Sequence, residues 1–130
     1  MNVLIVDTSS WISYFKNKKE SSKIDSALSE GRVFVSPIVV SELLSGKMTD
    51  KNRKDLESFL SELPLTSMNF DHSVKVGKLR SDLIKKGFSV STPDAHIAQS
   101  AMDMDAYLIS EDKIFQKISK VIPLKVEGQK

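Results

Sequence analysis

The chain has 130 residues and a net charge of +2, with 40% hydrophobic and 28% charged side chains and no cysteine. That is the length of one domain able to bury a sizeable core, and the composition lies far from disordered or collagen-like chains. The missing thiols exclude disulfide frameworks, thiolate zinc sites, iron–sulfur clusters and cysteine nucleophiles, and they agree with a reducing compartment. The apolar run at the start is broken at Asp7. It is too short for a signal peptide or a membrane span, so the chain is expected to be soluble and cytoplasmic. The 19 basic and 17 acidic side chains nearly balance. If several acids were gathered into one pocket, the remaining exterior would be distinctly basic, as a polyanion-binding protein requires. An ordinary solvated surface is the alternative reading.

Short β-branched runs alternate with helical stretches, the pattern of an α/β domain with a mainly parallel sheet of four to five short strands between helical layers. Val3-Leu4-Ile5-Val6 reads as a central strand buried on both faces. A helix should follow over Thr8–Tyr14, capped by Thr8 or Ser9, and another over Glu20–Glu30, stopped by Gly31. Val33-Phe34-Val35 is the second strand, and Ser36-Pro37 opens a helix that should end at Gly46. Asp50–Leu63 is amphipathic and closed by Pro64, and Leu65–Met68 is a candidate short strand. Phe70–Lys86 is a long helix with Val76, Leu79, Leu83 and Ile84 facing inward, ended by Gly87. Thr92-Pro93-Asp94 repeats the hydroxyl–proline start of a helix through Met102, and Tyr107-Leu108-Ile109 is the next strand. Glu111–Ile118 reads as a short helix and Val121-Ile122 as a final strand or edge. The domain is thus expected over 1–124, with 125–130 as a polar tail.

Four acids stand out. Asp7 directly follows the most hydrophobic strand, where ligands bind at the carboxyl ends of parallel strands, although Asp is equally at home as a helix cap. Glu42 lies in the run Ile38-Val39-Val40-Ser41-Glu42-Leu43-Leu44, which is apolar almost all round, so its charge calls for a cation or an exposed edge. Asp94 is a first-turn acid favoured by the helix dipole, yet it aligns with Ile97, Ala98 and Ala101 on the inward face. Asp112 follows the strand Tyr107–Ile109 and Ser110, or is simply another first-turn acid. A doubly wound sheet would bring all four to one edge. Two carboxylates about 5 Å apart repel by roughly 3 kcal/mol at an effective dielectric near 20, so such a cluster needs cations. All-oxygen donors prefer hard ions such as Mg²⁺ or Mn²⁺.

Val6-Asp7-Thr8-Ser9, Ser41-Glu42-Leu43, Thr92-Pro93-Asp94-Ala95 with Ile97-Ala98, and Leu108-Ile109-Ser110-Glu111-Asp112 with Phe115 resemble the PIN domain. Their order and spacing, from about Val3 to Ile122, are similar to the VapC-type toxins of toxin–antitoxin pairs. The resemblance implies a metal-dependent endoribonuclease whose catalytic, Mg²⁺- or Mn²⁺-binding residues are Asp7, Glu42, Asp94 and Asp112, with Ser9 and Ser110 supporting them by hydrogen bonds. It implies hydrolysis by a metal-activated water that leaves a 5′-phosphate and a 3′-hydroxyl. It further implies an RNA substrate (transfer RNA at family level), a homodimer, no membrane, and an antitoxin that wraps the toxin and places a basic side chain in the acidic pocket. One departure is Ile114, where many relatives carry another Asp, which bears on whether a second metal binds. The competing readings are an RNA-processing nuclease without an antitoxin and an inactive PIN-like binding or dimerisation module.

The remaining candidates have plainer explanations. His96 lies two residues past Asp94, about 200° round the helix, and should point away from it; His72, near a helix start, reads as surface. Trp11, Tyr14 and Phe15 could stack on bases or pack against a helix or a partner. Lys16 with Lys18 and Lys19, Arg53 with Lys54, or Arg80 could guide a phosphate backbone or form solvated faces.

Overall fold

A computed structural model describes residues 2–16 and 22–128. The apolar tripeptide Leu4–Val6 forms strand β1, and helix α1 follows at once over Thr8–Lys16. Helix α2 (Ser22–Ser29) leads into β2 (Val33–Phe34), and α3 (Pro37–Leu44) and α4 (Asp50–Ser61) come next. Two further helices, α5 (Phe70–Lys85) and α6 (Thr92–Asp103), precede β3 (Tyr107–Ile109), α7 (Lys113–Ile118) and β4 (Lys125–Glu127). Lys18 and Lys19 of the first basic cluster lie outside the described residues.

The strands pair in the order β2-β1-β3-β4, all parallel, as the alternation of strands and helices predicts. Parallel neighbours need helical crossovers, and these cover the sheet on both faces. Leu4, Ile5 and Val6 point alternately up and down, yet none is more than 4% exposed. The register Leu4↔Tyr107, Ile5↔Leu108 and Val6↔Ile109 brings the ends of β1 and β3 level. The residues that follow those two strands are therefore neighbours.

Local signals set the helix starts. Ser36 caps α3 by accepting from the Ile38 amide at 3.1 Å, with Pro37 in the first turn. Helix α6 is capped by Ser91 rather than Thr92, its hydroxyl accepting from the Asp94 amide at 3.2 Å. At the end of α5, Gly87 adopts φ 94°, and the Phe88 amide reaches back to the Leu83 carbonyl. No helix among the described residues is long and apolar enough to cross a membrane.

Three expectations need correction, and the choice left open at Trp11 is decided. The last strand is not Val121-Ile122 but Lys125–Glu127, in the stretch expected to be a tail. It pairs with β3, and Lys23 anchors it through the Glu127 carboxylate at 3.2 Å and the Gly128 carbonyl at 2.9 Å. Leu65–Met68 contributes only an isolated bridge from Leu65 to Val35, and Ile84 is exposed rather than inward. Trp11 is fully buried, stacked on Phe15 with centroids 5.7 Å apart and edge-on to Phe59, so it packs the core and offers no face to a base.

Candidate active site

Asp7 is the first residue beyond β1. Its amide donates to the Ile109 carbonyl at 3.1 Å, its own carbonyl accepts from Trp11, and its side chain caps α1 by accepting from the Ser10 amide at 2.8 Å. Cap and cleft acid are therefore one residue, and the carboxylate is only 5% exposed. Ser9 donates to it at 3.3 Å, and Ser110 donates to its other oxygen. Ser110 also accepts from the Asp112 amide at 3.0 Å, so one hydroxyl at the end of β3 links two of the acids. Asp112 in turn caps α7 by accepting from the Ile114 amide at 3.1 Å.

Glu42 differs from its expected surroundings. The apolar run around it suggested a carboxylate stranded on a buried helix, but the Ser41–Glu42 edge of α3 is exposed. Only Val39 and Leu43 of that helix are buried. Thr8, at the start of α1, donates to Glu42 Oε1 at 2.7 Å. In the sequence, the one signal for this contact is a hydroxyl next to Asp7. Asp94 sits half-buried in the first turn of α6.

These residues meet. Asp7, Glu42, Asp94 and Asp112, with Thr8 and Ser9, line one cleft of about 240 Å³. Burial pushes the Asp94 carboxyl up from its ordinary value; Asp112, Glu42 and Asp7 push it further the same way, against a lowering hydrogen bond from Ser91. Among the described residues none of the four acids forms an ion pair, so the cleft holds uncompensated negative charge. Nor do three His, Asp or Glu side chains there already converge as ligands on one point, since Thr8 holds Glu42 and the α7 amide holds Asp112. Ile114, at the position of the missing fifth acid, packs against the core. A roomier cleft of about 570 Å³ between α3, α5 and α6, lined by Ile38, Val76 and Ile84, contains no carboxylate.

His72 and His96 are not among the residues lining the carboxylate cleft, although His96 borders the roomier one. His96 points away from Asp94 as expected, but His72 is not a surface residue. It is 5% exposed and meets His96 at 2.9 Å, because α5 packs on α6 along this line. The basic candidates are already occupied in part: Arg53 binds the Leu44 and Gly46 carbonyls at the end of α3, and Arg80 binds the Val90 carbonyl at 2.7 Å.

The PIN-domain family profile matches residues 4–121. The chain belongs to the PIN-domain family. It is 30% identical over 102 residues to a ribonuclease VapC2 of Haemophilus influenzae, covering 75% of this chain and 76% of that protein. A tRNA(fMet)-specific endonuclease VapC of Salmonella typhimurium is 29% identical over 101 residues, covering 75% of this chain and 76% of that protein. Among solved structures, VapBC2 of Rickettsia felis bound to a promoter DNA fragment superposes with a TM-score of 0.74 at 25% identity. The match covers 97% of this chain and 98% of that one. This PIN domain is a nuclease of the hydrolase class.

Proposed function

We propose that the chain is a metal-dependent endoribonuclease acting in the cytoplasm as the toxin of a toxin–antitoxin pair. Asp7, Glu42, Asp94 and Asp112 would hold Mg²⁺ or Mn²⁺, with Ser9 and Ser110 fixing the carboxylates. The observation that carries this reading is the gathering of four unpaired carboxylates in one cleft at the ends of β1 and β3. Their donor set fits the ion: it is all oxygen and anionic, and like charges lining one cleft are relieved by a cation. When bound, the ion would acidify the attacking water and neutralise charge on the phosphodiester.

The chain's own side chains do the rest. Ser110 and the Ser10 amide hold Asp7 in one orientation. Asp94, half-buried and facing Asp112, Glu42 and Asp7, stands in the first turn of α6, where it would serve as a ligand of the ion. Because no step uses the 2′-hydroxyl, preference for RNA must come from fit. Relatives named as tRNA(fMet)-specific endonucleases make transfer RNA the first substrate to test, and solved VapBC complexes make an antitoxin the expected partner. We also infer a homodimer, which the family resemblance alone implies.

The test is cleavage of a panel of transfer and structured RNAs by the purified, antitoxin-free protein with Mn²⁺, Mg²⁺ or EDTA, beside Asp7→Asn. Cuts leaving 5′-phosphates, dependent on both metal and Asp7, are the expected result. Cuts that persist in EDTA or in Asp7→Asn would refute it.

A further inference from the structure

Behind the carboxylate cleft, outside the acids themselves, lies a buried polar chain. Ser36, His96 and His72 are 0%, 3% and 5% exposed. Ser36 Oγ lies 2.7 Å from His96 Nε2, His96 Nδ1 lies 2.9 Å from His72 Nε2, and His72 Nδ1 faces Asp103 at 3.5 Å. The Ser36 oxygen accepts from the Ile38 amide while its hydroxyl meets His96 Nε2. Both nitrogens of each ring have a polar neighbour along the line from Ser36 to Asp103.

The ends of this chain matter for the cleft. Ser36 is the N-cap of α3, and Glu42 sits six residues on, about 9 Å of helix rise away. His96 lies on α6, two residues past Asp94. The two helices lean chiefly on other neighbours, α3 on α1 and α4, and α6 on α5. A cleft of about 300 Å³ separates them, lined by Pro37, Ile38 and Glu42 on one side and Pro93 on the other. The Ser36–His96 hydrogen bond crosses from the start of one helix to the first turns of the other. A tie there limits how far the start of α3, and with it Glu42, which Thr8 also holds, can shift relative to Asp94.

We propose that His96 is a positioning residue of the metal site, tying α3 to α6 so that Glu42 and Asp94 can serve the same divalent ion. This rests on the reading of the four acids as metal ligands. His72 completes the device by holding the His96 ring from behind, and Asp103 anchors His72. His96 itself touches neither metal nor substrate.

The experiment is Mn²⁺ titration of the purified full chain, read as the rise in melting temperature, with the metal-free melting temperature recorded for every variant. In His96→Leu, which keeps bulk and removes both ring nitrogens, half-saturation should move to about tenfold higher Mn²⁺. In His96→Gln, whose amide puts a polar atom near the Nε2 position, it should return to within about threefold of wild type. A merely structural loss would lower the metal-free melting temperature without this split between Leu and Gln. Should His96→Leu fail to fold, Ser36→Ala, which only removes an oxygen, should show the same tenfold rise. Wild-type half-saturation in His96→Leu or Ser36→Ala would overturn the proposal, as would a folded His96→Gln that binds Mn²⁺ as weakly as His96→Leu. A wild-type protein with no Mn²⁺ response would overturn the metal-site reading first, and this proposal with it.

Discussion

Acidifying the metal-free protein should weaken the fold through His96. Burial, and then His72 beside it, pushes this imidazole down to about 4 from an ordinary 6.5. The folded ring therefore stays neutral at a pH where the unfolded chain takes up a proton. Its contribution to stability is fully present above the unfolded pKa near 6.5 and is lost as the pH falls toward the folded value near 4. At pH 5 the loss from this one group is about 2 kcal/mol, or roughly 8 °C in melting temperature for a domain this size. Asp94 works the other way, because its raised pKa makes the folded chain bind a proton more readily than the unfolded one. A bare pH profile would mix the two effects. Comparison with His96→Gln, which cannot titrate, isolates the ring. Urea unfolding in EDTA at pH 7 and pH 5 should show wild type losing about 2 kcal/mol more than the variant. Parallel losses in the two proteins would refute the argument, since they would mean that the ring titrates alike folded and unfolded.

Asp94→Asn should raise the melting temperature in EDTA at pH 7, because it removes a half-buried charge facing three others, and it should cut metal-dependent RNA cleavage by about a hundredfold or more. A lowered melting temperature would contradict the repulsion argument. Ser110→Ala breaks the link between Asp7 and the Asp112 amide; chemical denaturation should register a loss of about 1.5–3 kcal/mol, and cleavage should fall by roughly 10- to 100-fold. Trp11→Ala empties the centre of the Tyr14–Phe15–Phe59 cluster and should cost about 3–5 kcal/mol in the same assay.

Much of this architecture is legible in the residues, for identifiable reasons. Leu4–Val6 and Tyr107–Ile109 declare themselves as strands because both faces of a parallel sheet must be apolar. Ser36-Pro37 marks a helix start through chemistry confined to two residues. Asp7, Asp94 and Asp112 stand out because each lies where a strand or helix boundary falls. What failed depended on distant partners. Strand β4 alternates Lys125, Val126 and Glu127, a polar edge that becomes a strand only by pairing with β3 and bonding Lys23. His72 reads as a surface residue because its burial comes from α6, 24 residues away, and not from its own helix. For Glu42, of the two readings of a cation or an exposed edge, the structure shows the exposed edge: the apolar neighbours do not surround it, since α3 turns that edge outward. Its place in the cleft comes from Thr8 and the geometry of α1 against α3.

The central claim is that the four acids act together on one divalent ion. Calorimetric titration of the metal-free chain with Mn²⁺, in parallel with Asp7→Asn, tests it most directly. Saturable binding by the wild type, weakened by about tenfold or more in Asp7→Asn, is the predicted result. Equal binding by both proteins, or no binding by either, would contradict it.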